Sequence, residues 1–106
     1  MVDAAVLQVA FVSRRDGPPV VRVRAVGELD LANAAALART LATATARKPA
    51  RLEVDLADVT FFDCAALRAL EAADLAADGR LRLVAASRPV HLLLSALGMR
   101  QRFAAV

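Results

Sequence analysis

The chain has 106 residues, 58% of them hydrophobic and 24% charged, with a formal net charge of +3 and one cysteine, Cys64. That length suits one domain, residues 1–106, burying roughly 60 to 70% of the surface its unfolded chain would expose, and the composition excludes disorder and any need for a disulfide framework. A lone cysteine fits a reducing, cytoplasmic setting, residues 1–5 show no basic leader, and no uncharged apolar run approaches the ~18 to 20 residues needed to cross a bilayer.

Residues 6–12 form a largely apolar run, and Asp16-Gly17-Pro18-Pro19 separates it from a second run over residues 20–26. In that second run Val21, Val23 and Ala25 alternate with Arg22 and Arg24, so the two runs predict a β-hairpin. After Gly27-Glu28-Leu29-Asp30 the spacing becomes helical, with Ala34, Leu37, Ala38, Leu41 and Ala44 on one face and Asp30 or Asn33 as N-cap. Pro49 closes that helical region, and residues 52–56 alternate again as a strand. Thr60-Phe61-Phe62 leads to Asp63, an N-cap for a helix over residues 64–77 that buries Leu67, Leu70, Ala73 and Ala77 and stops at Gly79. A strand follows over residues 81–85, then a third helix capped near Ser87 with Pro89 in its first turn and Val90, Leu93, Leu94 and Leu97 as its apolar stripe. Gly98 stops that helix, and residues 103–106 predict a last short strand. The order ββαβαβα(β) implies an α/β fold: a mixed sheet of four to five strands with helices packed against it.

Catalysis finds little support. The single histidine, His91, has no nucleophile motif to serve, and Cys64 has no base beside it in sequence. One His and one Cys cannot close a zinc shell, and the four glycines are isolated rather than gathered in a phosphate loop, so neither metal nor cofactor is expected. All basic residues but Lys48 are arginine, which explains the sequence pI of about 10.4. They are spread along the chain with only phenylalanines as aromatics, which argues against nucleic-acid binding. Asp55, near the end of a strand, is similar in placement to the phosphoacceptor of response-regulator receivers. The acidic pair and lysine of that chemistry are missing, and Val12-Ser13-Arg14 and Leu83-Val84-Ala85 stand in their places. What remains are two short acidic loops, residues 28–30 and 55–63, each leaving a strand and entering a helix, where they can lie side by side.

Three segments together resemble STAS domains, the sulfate-transporter and anti-sigma-factor-antagonist modules. Val23-Arg24-Ala25-Val26-Gly27-Glu28-Leu29-Asp30 resembles the family's strand ending in G-E-L-D. Val54-Asp55-Leu56-Ala57-Asp58-Val59-Thr60-Phe61-Phe62-Asp63 resembles its central strand and loop, and Leu94-Ser95-Ala96-Leu97-Gly98-Met99 the close of its last large helix. The resemblance covers nearly the whole chain.

In antagonist members a D-S-S-G sequence opens the second helix, and its second serine is phosphorylated by an anti-sigma factor with serine-kinase activity, which releases the complex. A phosphate there adds about −1.5 to −2 charge within the interface. The matching residues are Asp63, Cys64, Ala65 and Ala66, so the phosphoacceptor position is Ala65, which has no hydroxyl. Ala66 in place of glycine implies a turn without a positive φ. The resemblance thus implies a non-enzymatic regulatory protein that docks an anti-sigma factor or serine-kinase-like partner through Glu28, Asp30, Thr60, Asp63, Cys64, Ala65, Ala66 and Arg68, without the usual switch. The alternative is a STAS accessory subunit of another assembly, such as a lipid-transport ATPase. Cys64 and Thr60 are the remaining candidates for modification. Cys64 is expected to be buried and inert, as cysteines commonly are, although a helix N-terminus would activate an exposed thiol. Alanine-rich helical faces offer a route to a homodimer.

Overall fold

The computed structural model describes residues 6–12 and 19–103. In chain order these form β1 (Val6–Val12), β2 (Val20–Leu29), α1 (Ala34–Ala46), β3 (Arg51–Phe62), α2 (Cys64–Ala76), β4 (Leu81–Ala86) and α3 (Arg88–Ala96). One sheet runs in the order β1-β2-β3-β4, with β1 antiparallel to β2 and the other pairs parallel. The expected hairpin, mixed sheet and three helices are therefore all present.

Both crossovers, β2-α1-β3 and β3-α2-β4, step the same way across the sheet, and right-handed connections then place α1 and α2 on one face. The core confirms this arrangement. Val21, Val23, Ala25, Leu52, Val54, Leu56 and Leu81 point inward at period two and join Leu37, Leu41, Leu67, Leu70, Val90 and Leu94 of the helices in one cluster. The alanines Ala38 and Ala42 of α1 and Ala69, Ala72, Ala73 and Ala76 of α2 line a shallow groove between those helices.

Several details differ from expectation. Of the predicted α1 face, Leu37, Leu41 and Ala44 are buried, while Ala34 is half-buried and Ala38 exposed. On α3, Val90 and Leu94 are buried, but Leu97 lies past the last helical residue and is exposed. Phe103 sits in a turn, with its carbonyl accepting from Leu83 N–H at 2.8 Å; residues 104–106 of the expected last strand, and residues 13–18 of the first turn, lie outside the described residues.

The largest difference concerns the acidic loops, because β2 runs to Leu29 and β3 to Phe62. Pairing moves from Arg24↔Asp55 to Val26↔Asp58 and from Gly27↔Val59 to Glu28↔Phe61, so β3 carries one extra residue at each step. Such bulges break alternation without ending a strand. Gly27, at φ 100, sits at the second irregularity in a conformation that a side chain would strain. Asp55 is a half-buried strand residue whose Oδ1 accepts from Ala57 N–H at 3.0 Å, in the first bulge.

The face of the sheet opposite the helices carries Arg22, Arg24, Glu53 and Asp55. Glu53 is only 4% exposed. Arg22 donates to its Oε1 at 2.7 Å, and Arg51 pairs with its Oε2. Burial pushes the carboxyl's pKa up, but hydrogen bonds from Arg22 and Arg51 and their positive charge together outweigh it and hold it below the ordinary value. A depressed carboxylate adds stability that is complete above its unfolded pKa and lost as pH falls through its folded one. Glu53→Gln is therefore expected to cost about 1 to 2 kcal/mol at neutral pH and to flatten the acid-side decline. Urea unfolding of both proteins across a pH series checks this, and equal losses at neutral and strongly acidic pH would contradict it.

Candidate functional site

The second helix begins where β3 ends, and Asp63 occupies the junction with extended backbone, φ −119 and ψ −177. Its two carboxylate oxygens act in different directions. Oδ1 accepts from Ala66 N–H at 3.1 Å and caps α2, as the sequence predicts. Oδ2 accepts from Leu31 N–H at 3.1 Å, across to the segment between β2 and α1. The Asp63 backbone N–H also donates to the Leu29 carbonyl at 3.3 Å, extending the strand pairing by one step.

The facing segment is locked by a second acid and an amide. Asp30 Oδ1 accepts from Ala32 N–H at 2.9 Å, while Asn33 Oδ1 accepts from Asp30 N–H at 2.9 Å and Asn33 Nδ2 donates to the Glu28 carbonyl at 2.6 Å. Asn33 therefore holds the N-cap position of α1 without a side-chain cap bond. The expected cap becomes a turn lock, because both side chains are spent on the connection from β2.

These bonds gather the predicted residues at one end of the sheet. Thr60, Cys64 and Arg68 are exposed; Glu28, Asp30, Asp63 and Ala65 are half-buried. Ala66 is fully buried and forms the floor beneath that surface. No residue from Asp63 to Ala66 has a positive φ, which agrees with an alanine in place of the family's glycine.

Cys64 overturns the expectation of a buried thiol. The Asp63 cap turns Ala66 and Leu67 toward the core, so positions 64 and 68, one helical turn apart, face outward together.

Two exposed apolar residues escaped the sequence reading. Leu31 is 81% exposed and Phe61 48% exposed, one on each side of the Asp63 bridge. Phe61 could have been found by continuing the strand to the Phe pair, since adjacent strand residues face opposite ways and Phe62 is buried. Leu31 had no such signal, because its exposure depends on the turn around Asp30. Among the described residues no three His, Cys, Asp or Glu side chains converge as a metal site, and no helix is long and apolar enough to cross a membrane.

This arrangement of strands, helices and turn can be set beside known proteins. Residues 11–104 match the family model described as "Mlab, STAS domain". The chain belongs to the STAS family. A crystal structure of an anti-sigma factor antagonist from Mycobacterium paratuberculosis is similar in fold, with a TM-score of 0.75, 21% identity, and coverage of 95% of this chain and 87% of that one. The anti-sigma factor antagonist SpoIIAA in its unphosphorylated form is also similar, with a TM-score of 0.73, 19% identity, and coverage of 90% and 83%. At these identities the likeness is one of fold. A search of curated proteins finds no match. The STAS chain described here thus has an antagonist-like α/β fold, as its sequence motifs imply.

Two outcomes follow from the turn. Asp63→Ala is expected to lower stability by about 1 to 2 kcal/mol and to speed amide exchange at both Leu31 and Ala66, whereas loss of a simple cap would affect Ala66 alone. Cys64 is expected to react with a thiol reagent in the native protein, and a thiol that reacts only after unfolding would contradict its exposed position.

Proposed function

We propose that this STAS domain is a non-catalytic regulatory protein that works in the cytoplasm by binding an anti-sigma factor or serine-kinase-like partner, without a serine phosphorylation switch. Its docking surface comprises Glu28, Asp30, Thr60, Asp63, Cys64, Ala65 and Arg68, with Leu31 and Phe61 as apolar anchors and Ala66 supporting them from below. The observation that carries this reading is Ala65: a half-buried methyl group in the first turn of α2, set among exposed neighbours on the joined loops. A small neutral side chain there permits close docking, and with no hydroxyl it accepts no phosphate. Apolar anchors bordered by polar groups are also what protein interfaces commonly contain.

A second reading has its own support. The matched family model is named for Mlab rather than for an antagonist, which favours a STAS accessory subunit of another assembly, such as a lipid-transport ATPase. Both readings use the same surface and differ in what it captures.

The test is affinity capture from the source cell with the wild-type chain and Ala65→Glu. A charge at the centre of the interface is expected to weaken capture by about tenfold or more. Recovery of a kinase-like anti-sigma factor supports the first reading, and recovery of transporter subunits alone replaces it with the second. Equal capture by both proteins would remove this turn from the interface. With a kinase partner and ATP, mass spectrometry is expected to find no phosphate on the wild-type turn and one on Ala65→Ser.

A further inference from the structure

The charges of this chain are distributed unevenly along its length. All 11 Asp and Glu residues lie at or before Asp78, whereas Arg80, Arg82, Arg88, Arg100 and Arg102 follow it with no acid among them. The fold gathers that segment into β4, α3 and the turn up to Phe103. Two of its arginines are matched, since Arg102 pairs with the buried Asp74 and Arg80 lies 3.8 Å from Asp78. Arg82 donates to the backbone carbonyls of Gly79 and Leu81. Among the described residues Arg88 and Arg100 have no carboxylate partner.

β4 is also the edge of the sheet among the described residues, and an edge strand offers backbone groups to another chain. Its first half is already satisfied. Leu81 N–H donates to Asp74 Oδ1 at 3.2 Å, and Leu83 N–H to the Phe103 carbonyl at 2.8 Å. From residue 83 to residue 86 the edge instead borders an open groove of about 240 Å³, walled by Phe103, His91 and Arg100. Its exposed lining is polar and apolar in about equal measure, and the ionisable groups on its rim are His91 and Arg100, neither of them acidic.

We propose that this groove takes a short, extended, acidic segment of a partner protein, laid along the β4 edge with a carboxylate on Arg100. A strand edge supplies backbone pairing, and the basic rim supplies the sign of charge that the segment must carry. The site lies on β4 and α3, away from Asp63, and is independent of what the turn binds. An extended chain fits a narrow concave edge better than a lipid surface, which would need a broad apolar face.

Amide resonances of the isotope-labelled full chain, titrated with acetyl-Glu-Val-Glu-Val-Glu-amide, test the proposal. Saturable shifts are expected at Val84, Ala85, Ala86 and Arg100, with affinity falling about tenfold in Arg100→Glu and less in Arg100→Gln. Unchanged spectra elsewhere in both variants would show that the fold is intact. The proposal is overturned if the acidic peptide causes no saturable shift at these residues. Equal shifts from acetyl-Gln-Val-Gln-Val-Gln-amide, or unchanged affinity in both Arg100 variants, would also overturn it. So would the same resonances responding to phosphatidylglycerol vesicles and not to the peptide. Shifts at Leu31, Thr60 or Cys64 instead would assign acidic ligands to the turn surface and reject this groove.

Discussion

The joined loops at one end of this domain depend on one carboxylate with two obligations. Asp63 satisfies an orphan N–H at the start of α2 with one oxygen and the Leu31 N–H of the neighbouring connection with the other. A capping acid normally stabilises only its own helix. Here the cap also fixes the distance between two loops that are more than 30 residues apart in sequence. The exposed Leu31, Phe61, Cys64 and Arg68 therefore form one surface rather than two mobile tips. Rigid presentation matters energetically, because side chains and loops ordered in advance do not lose that freedom on binding.

The bulges in β3 are the second constraint. Without the two extra residues, Phe61 and Phe62 would meet β2 two residues further along, and with only one of them the buried and exposed phenylalanines would exchange faces. With them, Phe62 closes the core and Phe61 stands at the surface beside the turn. The same strand carries Glu53 at its other end, buried against Arg22 and Arg51 on the face without helices. That cluster ties β2 to β3 far from the Asp63 turn, so the buried charge cluster and the exposed turn surface occupy opposite ends of one central strand.

The C-terminal segment adds a separate polarity. The Asp74–Arg102 pair holds the last turn against α2, and Arg102 also lies 5.0 Å from the Phe103 ring centre. Phe103 is thereby seated in the core, and its carbonyl seals part of the β4 edge. What stays open is a short groove with positive charge on its rim. Arginines that look scattered along the chain are thus sorted by the fold into matched and unmatched ones.

The sequence by itself determined the order of elements, the three helices, the Asp63 cap and the missing hydroxyl at Ala65, because these follow from local periodicity, capping chemistry and residue identity. It did not reveal where β2 and β3 end, since bulges erase the period-two signal while pairing with a neighbouring strand continues. Nor could it predict that Asn33 would lock a turn rather than cap α1, or that Asp63 would reach Leu31, because both depend on which backbone donors lie within reach across the fold. The exposure of Cys64 and Leu31, and the burial of Glu53 beside two arginines, were decided in the same way. Burial belongs to the assembled layers rather than to the residue type, and only tertiary structure brings compensating partners to a charge that would otherwise remain in water.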